Sequence, residues 1–207
     1  TVGQALTGHS QIAKVTFTGS TAVGKLLMRQ CADTVKRLSL ELGGNAPAIV
    51  FADADLAVAV QAVMASKFRN AGQTCVCVNR ILVEESIAAE FSALLQKAIR
   101  QMVTGPGVTP SVQIGPLINA AAVTKVSQLV NDAVAAGASL SYQAELALEL
   151  GYFYPPTLLE NVTSAMRISQ QEIFGPVATI QLFSTAEEAL QLANDSQSGL
   201  AAYLFTK

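Results

Sequence analysis

Apolar side chains recur along this chain in two alternating rhythms, a short strand-like one and a longer helical one. Lys14-Val15-Thr16-Phe17-Thr18-Gly19 reads as a buried strand that stops at glycine. Ser20-Thr21 then offers an N-cap, and Val23, Leu26, Leu27 and Cys31 fall at helical spacing between Ala22 and about Val35. A second strand is predicted from Arg37 to Leu42, stopped by Gly43-Gly44, and a third from Ala48 to Ala52. Asp53 or Asp55 can cap a helix whose apolar positions run from Leu56 through Val60, Val63 and Met64 to Phe68. A strand over Asn79–Val83, a helix from Ser86 to about Met102 and a long helix from Asn119 to Ala136 follow, with a short strand at 138–142. Two adjacent prolines force the segment around Tyr152-Phe153-Tyr154-Pro155-Pro156 to be extended or turn-like. The chain closes with a strand over Val177–Phe183, a helix over Thr185–Ala193 and a strand from Leu200 to Phe205. Strands alternating with helices of this length imply crossover units, hence an α/β fold with a mostly parallel sheet. The double glycine at 43–44 is the expected domain joint.

Composition narrows the function classes. Of 207 residues, 51% are hydrophobic and 14% charged, and the mean hydropathy is +0.40. That apolar excess calls for a large core, a subunit interface or further chain to pack against. No apolar run reaches the roughly 18–20 residues that span a bilayer, so no membrane is expected. The start, Thr1-Val2-Gly3-Gln4, has no basic leader and no initiator Met, and reads as the middle of a longer protein. A net charge of −2 supplies no basic stripe for phosphates, so no nucleic acid is expected as a partner. Three cysteines, two of them separated by one residue, are not a disulfide framework and point to a reducing compartment, cytoplasm or mitochondrial matrix. His9 is the single histidine, which argues against a metal site and against a Cys-His protease pair.

The chemistry concentrates in Phe68-Arg69-Asn70-Ala71-Gly72-Gln73-Thr74-Cys75-Val76-Cys77. Cys75 sits after a Gly-Gln turn, between a helical pattern and a strand. Gly72 permits tight backbone geometry there, and turn N–H groups can stabilise a thiolate. Arg69 and Arg80 add positive potential nearby in sequence. A buried Cys acting as a small hydrophobe is the competing reading. Cys77, two residues on along an extended chain, faces the same side as Cys75, either as core packing or as a thiol that captures an oxidised Cys75. Glu41, flanked by leucines in Leu40-Glu41-Leu42-Gly43-Gly44-Asn45, can be a desolvated general base or an outward strand residue. Gly19-Ser20, with Gly24 beyond, has the strand-turn-helix form that holds a pyrophosphate, or is an ordinary N-cap. In Glu172-Ile173-Phe174-Gly175-Pro176-Val177, Glu172 can bond a ribose hydroxyl pair and Phe174 can pack a flat ring, or the segment is a polar turn with an aromatic.

Taken together these motifs resemble the aldehyde dehydrogenase superfamily, and the Cys75 segment looks like its succinate-semialdehyde branch. The pieces are Phe17-Thr18-Gly19-Ser20, Leu40-Glu41-Leu42-Gly43-Gly44-Asn45-Ala46-Pro47, Gly72-Gln73-Thr74-Cys75, Ile114-Gly115-Pro116-Leu117 and Glu172-Ile173-Phe174-Gly175-Pro176, in order across essentially the whole chain. The resemblance implies an NAD- or NADP-dependent oxidoreductase acting on a small aldehyde, with Cys75 as nucleophile and Glu41 as the base that activates water. It implies that Gly19, Ser20, Gly24 and Leu42 contact the cofactor, that Glu172 holds the nicotinamide ribose, that Phe174 supports the ring region and that Arg69 pairs with the distal carboxylate of the substrate. It divides the chain into the C-terminal part of a Rossmann-like NAD(P)-binding domain, residues 1–42, and a catalytic domain, residues 43–207. It further implies a homo-oligomeric full-length protein. The upstream oxyanion asparagine, the lysine that binds the adenosine ribose or its phosphate, and the C-terminal oligomerisation segments are expected outside this chain. A sister enzyme for another aldehyde, or an inactive fragment, are the alternatives.

Overall fold

The computed structural model describes residues 2–146 and 151–207, so Thr1 lies outside the described residues. The chain gathers into two compact units, Thr1–Gly43 and Gly44–Lys207.

In the first unit, α1 (Val2–Gly8) precedes β1 (Lys14–Thr18), α2 (Thr21–Cys31) and β2 (Arg37–Glu41). The two strands are parallel, registered from Lys14 opposite Arg37 to Thr18 opposite Glu41. α2 starts where it does because Ser20 is extended and its Oγ accepts the Val23 N–H at 3.4 Å. It ends at Cys31, short of the expected Val35. A 3-10 turn over Ala32–Thr34 follows, and Val35 turns left-handed at φ 48°.

The second unit contains β3 (Ala46–Val50), α3 (Leu56–Lys67), β4 (Val78–Glu84), α4 (Ala88–Arg100), α5 (Ala120–Ala135), β5 (Ser139–Gln143), β6 (Thr157–Glu160), α6 (Arg167–Gln170), β7 (Val177–Phe183), α7 (Ala186–Asn194) and β8 (Tyr203–Phe205). One sheet runs β5-β6-β7-β4-β3-β8, and only the β5–β6 pair is antiparallel. The α/β architecture with a mostly parallel sheet is therefore as the alternation implied. Of the two candidate caps, Asp55 holds α3, accepting from the N–H groups of Ala57 and Val58 at 3.0 and 3.1 Å. Three elements have no counterpart in the sequence reading: α1, α6 and β6. α6 and β6 have four residues each, too few to show a period, and β6 is fixed by its neighbours: Thr157 N–H donates to the Pro176 carbonyl at 3.0 Å and the strand pairs with β7.

Alternation splits the central strands between two faces. Ala48, Val50, Ile81, Val83, Ala178 and Ile180 point into the main core with Val60, Val63, Phe91, Leu95 and Leu129 of the helices. Ile49, Leu82 and Phe183 form a smaller core on the other face with Ala189 of α7.

Arg80 corrects one expectation. It is buried, and its guanidinium hydrogen bonds go to backbone carbonyls of Asn45, Leu192 and Ala193 rather than to the cysteine segment. Its Nε and Nη2 donate to Asn45 O at 3.2 and 3.1 Å, Nη1 to Leu192 O at 2.6 Å and Nη2 to Ala193 O at 2.8 Å. One side chain thus ties β4 to the entry of β3 and the end of α7. Replacing it by methionine roughly keeps the volume, removes the guanidinium donors from the Asn45 and Ala193 carbonyls, and leaves Leu192 O only the Asp195 N–H at 3.3 Å. Arg80→Met is expected to lower unfolding free energy by about 3 kcal/mol or more, read from urea denaturation.

Candidate active site

The residues singled out from the sequence fall into two groups, one in each unit. In the first unit Gly19 and Ser20 follow β1, while Glu41 ends β2 and Leu42 follows it. Gly19 N–H donates to Glu41 O at 2.9 Å. The Leu42 side chain rests on Gly24, where a Cβ would come within 2.6 Å of Leu42 Cδ2. Parallel strand ends beside a capped helix start are the arrangement that meets phosphate groups in open α/β sheets. Glu41 is exposed, so the burial expected from its flanking leucines is not found. Leu40 and Leu42 are themselves only partly buried, which is why they do not enclose it.

In the second unit the candidate residues lie on three loops, each feeding one of three adjacent strands: Gly44 enters β3, Cys75 enters β4 and Glu172 enters β7. Adjacent parallel strands begin at the same sheet edge, so this topology alone gathers the loops. A 3-10 turn over Arg69–Gly72 carries three consecutive left-handed residues, Asn70, Ala71 and Gly72, with φ of 50°, 55° and 75°. Non-glycine residues in this region cost roughly 1–3 kcal/mol each and persist only where the surroundings hold them. The surroundings do so here. Asn70 Nδ2 donates to Gln73 O at 3.1 Å, and Gln73 Nε2 to Asn70 O at 3.2 Å and Pro116 O at 3.3 Å. Gln73 Oε1 accepts the Ile118 N–H at 2.9 Å. Gly72 has no room for a side chain, since a Cβ would collide with the Gly175 carbonyl of the Glu172 loop.

Cys75 is half-buried on a turn closed by the Cys77 N–H donating to Thr74 O at 3.2 Å. Its carbonyl lies so close to Gly44 that a Cβ there would also collide. The chain from Cys75 to Cys77 is therefore a turn rather than the extended stretch expected, and strand alternation does not set the facing of the two thiols. Cys77 is buried, its Sγ donating to Gly72 O at 3.4 Å, with Lys67 Nζ 4.0 Å away. All three cysteines are free. Arg69 is exposed, and among the described residues no hydrogen bond or ion pair engages its guanidinium.

Glu172 is half-buried and accepts the Gly44 N–H at 3.2 Å. Burial pushes its carboxyl above the usual carboxylate range, while the Gly44 N–H and then the charges of Lys125 and Lys67 act to lower it. Lys125 Nζ donates to the Glu172 carbonyl at 2.7 Å. Phe174 is left-handed at φ 56° and, with Asn70, Gln73, Pro116 and Tyr152, lines an open groove of about 660 Å³ beside the cysteine turn.

Sequence reasoning missed the residues that hold these loops. Asn79 Oδ1 accepts the Ile173 N–H at 3.0 Å, and its Nδ2 donates to Gln171 O at 2.9 Å and Asn45 Oδ1 at 2.6 Å. One amide therefore grips the backbone on both sides of Glu172. Asn45 Nδ2 donates onward to Ser169 O at 2.9 Å. The available signal was a pair of asparagines at the starts of otherwise apolar strands, where a buried amide must find partners. Lys67 gave no such signal, because a lysine in the last turn of a helix ordinarily faces water.

The second unit is a mostly parallel α/β sheet that presents a cysteine on a left-handed glycine turn beside a half-buried carboxylate. The chain belongs to the aldehyde dehydrogenase family, whose model matches residues 1–207. It is 51% identical over 206 residues to the mitochondrial succinate-semialdehyde dehydrogenase of Oryza sativa subsp. japonica, covering 100% of this chain and 39% of that protein. It is 48% identical over 206 residues to 3-sulfolactaldehyde dehydrogenase of Pseudomonas putida, covering 100% of this chain and 42% of the relative. Among solved structures, that of an NADP-dependent enzyme of Escherichia coli superposes with a TM-score of 0.97 at 45% identity, over 100% of this chain and 43% of the other. The chain thus spans about two fifths of the length of the curated relatives it matches.

The Glu172 geometry sets a pH dependence of stability. A folded-state pKa raised above the unfolded value means the folded protein holds the proton more tightly, so Glu172 favours folding at low pH and this contribution is lost as pH rises through the folded pKa. Glu172→Gln is expected to raise Tm relative to the parent at about pH 8, with the difference vanishing near about pH 4. Calorimetric melting across that range checks it.

Proposed function

We propose that this chain is the catalytic portion of an NAD(P)-dependent dehydrogenase that oxidises a small aldehyde bearing an anionic end, succinate semialdehyde to succinate being the leading case. The observation that carries the reading is the Cys75 turn packed directly against the Glu172 loop and Gly44. In this reading residues 1–42 are the end of the cofactor-binding domain and residues 43–207 the catalytic domain. The site is proposed to work in the cytoplasm or the mitochondrial matrix, as part of a homo-oligomer.

The residues present fit a nicotinamide dinucleotide. The Glu172 loop is fixed at Gln171 and Ile173, and the carboxylate is left half-open to accept from ribose hydroxyls. Phe174 faces the adjoining groove, where a flat ring can lie. Gly19, Ser20, Gly24 and Leu42 are the proposed contacts in the first unit. What the dinucleotide supplies when bound is an acceptor for hydride.

The Cys75 thiolate adds to the aldehyde carbonyl carbon, forming a carbon–sulfur bond and an oxyanion. Left-handed backbone from Asn70 to Gly72 presents that turn in one fixed shape, which keeps the sulfur at a reproducible attack position. After loss of hydride, Cys75 carries the acyl group as a thioester. Glu41, exposed at its strand end, takes the proton from the water that attacks this thioester, and the acid leaves as the thiolate is restored. Arg69, exposed and unengaged among the described residues, is the proposed partner of the far anionic group of the substrate. Its generic anion chemistry also favours a second reading, an aldehyde ending in sulfonate, in line with the Pseudomonas putida relative.

In the full-length protein that carries this segment, Cys75→Ala is expected to reduce succinate-semialdehyde oxidation by about 10³-fold or more. Wild-type turnover in that variant would refute the nucleophile. Arg69→Ala is expected to raise KM for succinate semialdehyde by about tenfold or more while leaving that for acetaldehyde nearly unchanged. Equal changes for the two aldehydes would remove the anchor role of Arg69.

A further inference from the structure

Lys67 is fully buried at the end of α3, at 0% exposure, among the largest wholly enclosed side chains of the described residues. A lysine in such a place normally has a carboxylate or several carbonyls around it. Here the single hydrogen-bond partner of the described structure is Cys77 Sγ, at 4.0 Å. Cys77 bonds in turn to the carbonyl of Gly72, whose Cα touches Gly175 of the Glu172 loop. Lys67 therefore lies beneath the seam where the cysteine turn meets the loop of Glu172. On the far side of that seam Gly44 touches the Cys75 carbonyl and gives its N–H to Glu172.

We propose that Lys67 is a positioning residue: a buried cation that keeps Glu172 ionised and its loop seated on the turn that carries Cys75. The proposal rests on reading Glu172 as the ribose-binding carboxylate and adds a group that acts through it. The charged and titratable groups acting on Glu172 are Lys125 and Lys67, together with the Gly44 N–H, and those acting on Lys67 are Cys77 and Glu172. Burial works against the Lys67 ammonium and lowers its pKa, while Cys77 and Glu172 work for it. The same coupling seen from the other end favours the Glu172 carboxylate against its own burial. A cation under the loop differs from Lys125, which is exposed and holds the Glu172 backbone carbonyl. Of the two charges acting on Glu172, that of Lys125 is the larger and that of Lys67 the smaller, but only Lys67 is wholly enclosed beneath the loop.

Carbon-13 NMR of the ligand-free protein tests this through two reciprocal variants. Lys67→Met keeps the length and removes the charge, and is expected to move the Glu172 carboxyl titration to higher pH. Glu172→Gln, a change at a half-exposed site that leaves the core intact, is expected to move the Lys67 Cε titration to lower pH. A role confined to packing would leave both titrations in place, and an unmoved Lys67 titration in Glu172→Gln overturns the proposal even where Lys67→Met fails to fold. Calorimetry adds the functional arm: Lys67→Met in the full-length protein should weaken NAD⁺ or NADP⁺ binding about 5-fold or more, with Kd unchanged counting against the proposal. Wild-type protein that bound neither dinucleotide would overturn the ribose role of Glu172, while the reciprocal titrations would still decide whether Lys67 sets its charge.

Discussion

The second unit depends on one buried amide. Asn79 stands at the start of the central strand and reaches sideways to both its neighbours: to Asn45 before one strand and to Gln171 and Ile173 before the other. Its backbone carbonyl also accepts from Thr179 Oγ1 at 3.0 Å. A buried amide has four hydrogen-bonding positions, and leaving any unmet costs about 1–3 kcal/mol. That penalty makes the arrangement close to all-or-none: the three strand entries are either registered together or the amide is stranded. Arg80, one residue further on, repeats the device with carbonyls of Asn45, Leu192 and Ala193.

With the edge fixed in this way, the loops approach more closely than side chains allow. Gly44 and Gly72 are the two contact points, one against the Cys75 carbonyl and one against Gly175. Their close approach, with three left-handed residues in succession and a fourth at Phe174, makes the site a rigid, strained surface on a well-packed sheet. Strain of this kind is maintained only by the surrounding core, which here includes Phe68 and Ala71 themselves, both nearly inaccessible to water. Stability of the sheet and shape of the cysteine turn are therefore the same physical question.

The electrostatics follow from the same geometry. Glu172 is partly withdrawn from water, which raises its pKa, while the Gly44 N–H and the charges of Lys125 and Lys67 act to lower it, so opposing influences meet on one carboxylate. Cys77 belongs to this set through Lys67 and Gly72 rather than through an extended alignment with Cys75. Strand alternation does not relate the two thiols for a plain reason: a hydrogen-bonded turn intervenes, and alternation holds only in extended chain.

Sequence alone determined the alternation of strands and helices, the parallel sheet it implies, the cap at Ser20 and the segment around Cys75, because these rest on local periodicity and on residue types with strong backbone preferences. The match of Gly72-Gln73-Thr74-Cys75 and Glu172-Ile173-Phe174-Gly175-Pro176 to one family was likewise legible in residue order. Sequence did not reveal β6, whose four residues take their form from β7, nor the exposure of Glu41, nor the burial of Arg80 and Lys67. Those outcomes were decided by tertiary structure. Which way a long charged side chain points depends on what packs over it, and what packs over it comes from distant parts of the chain.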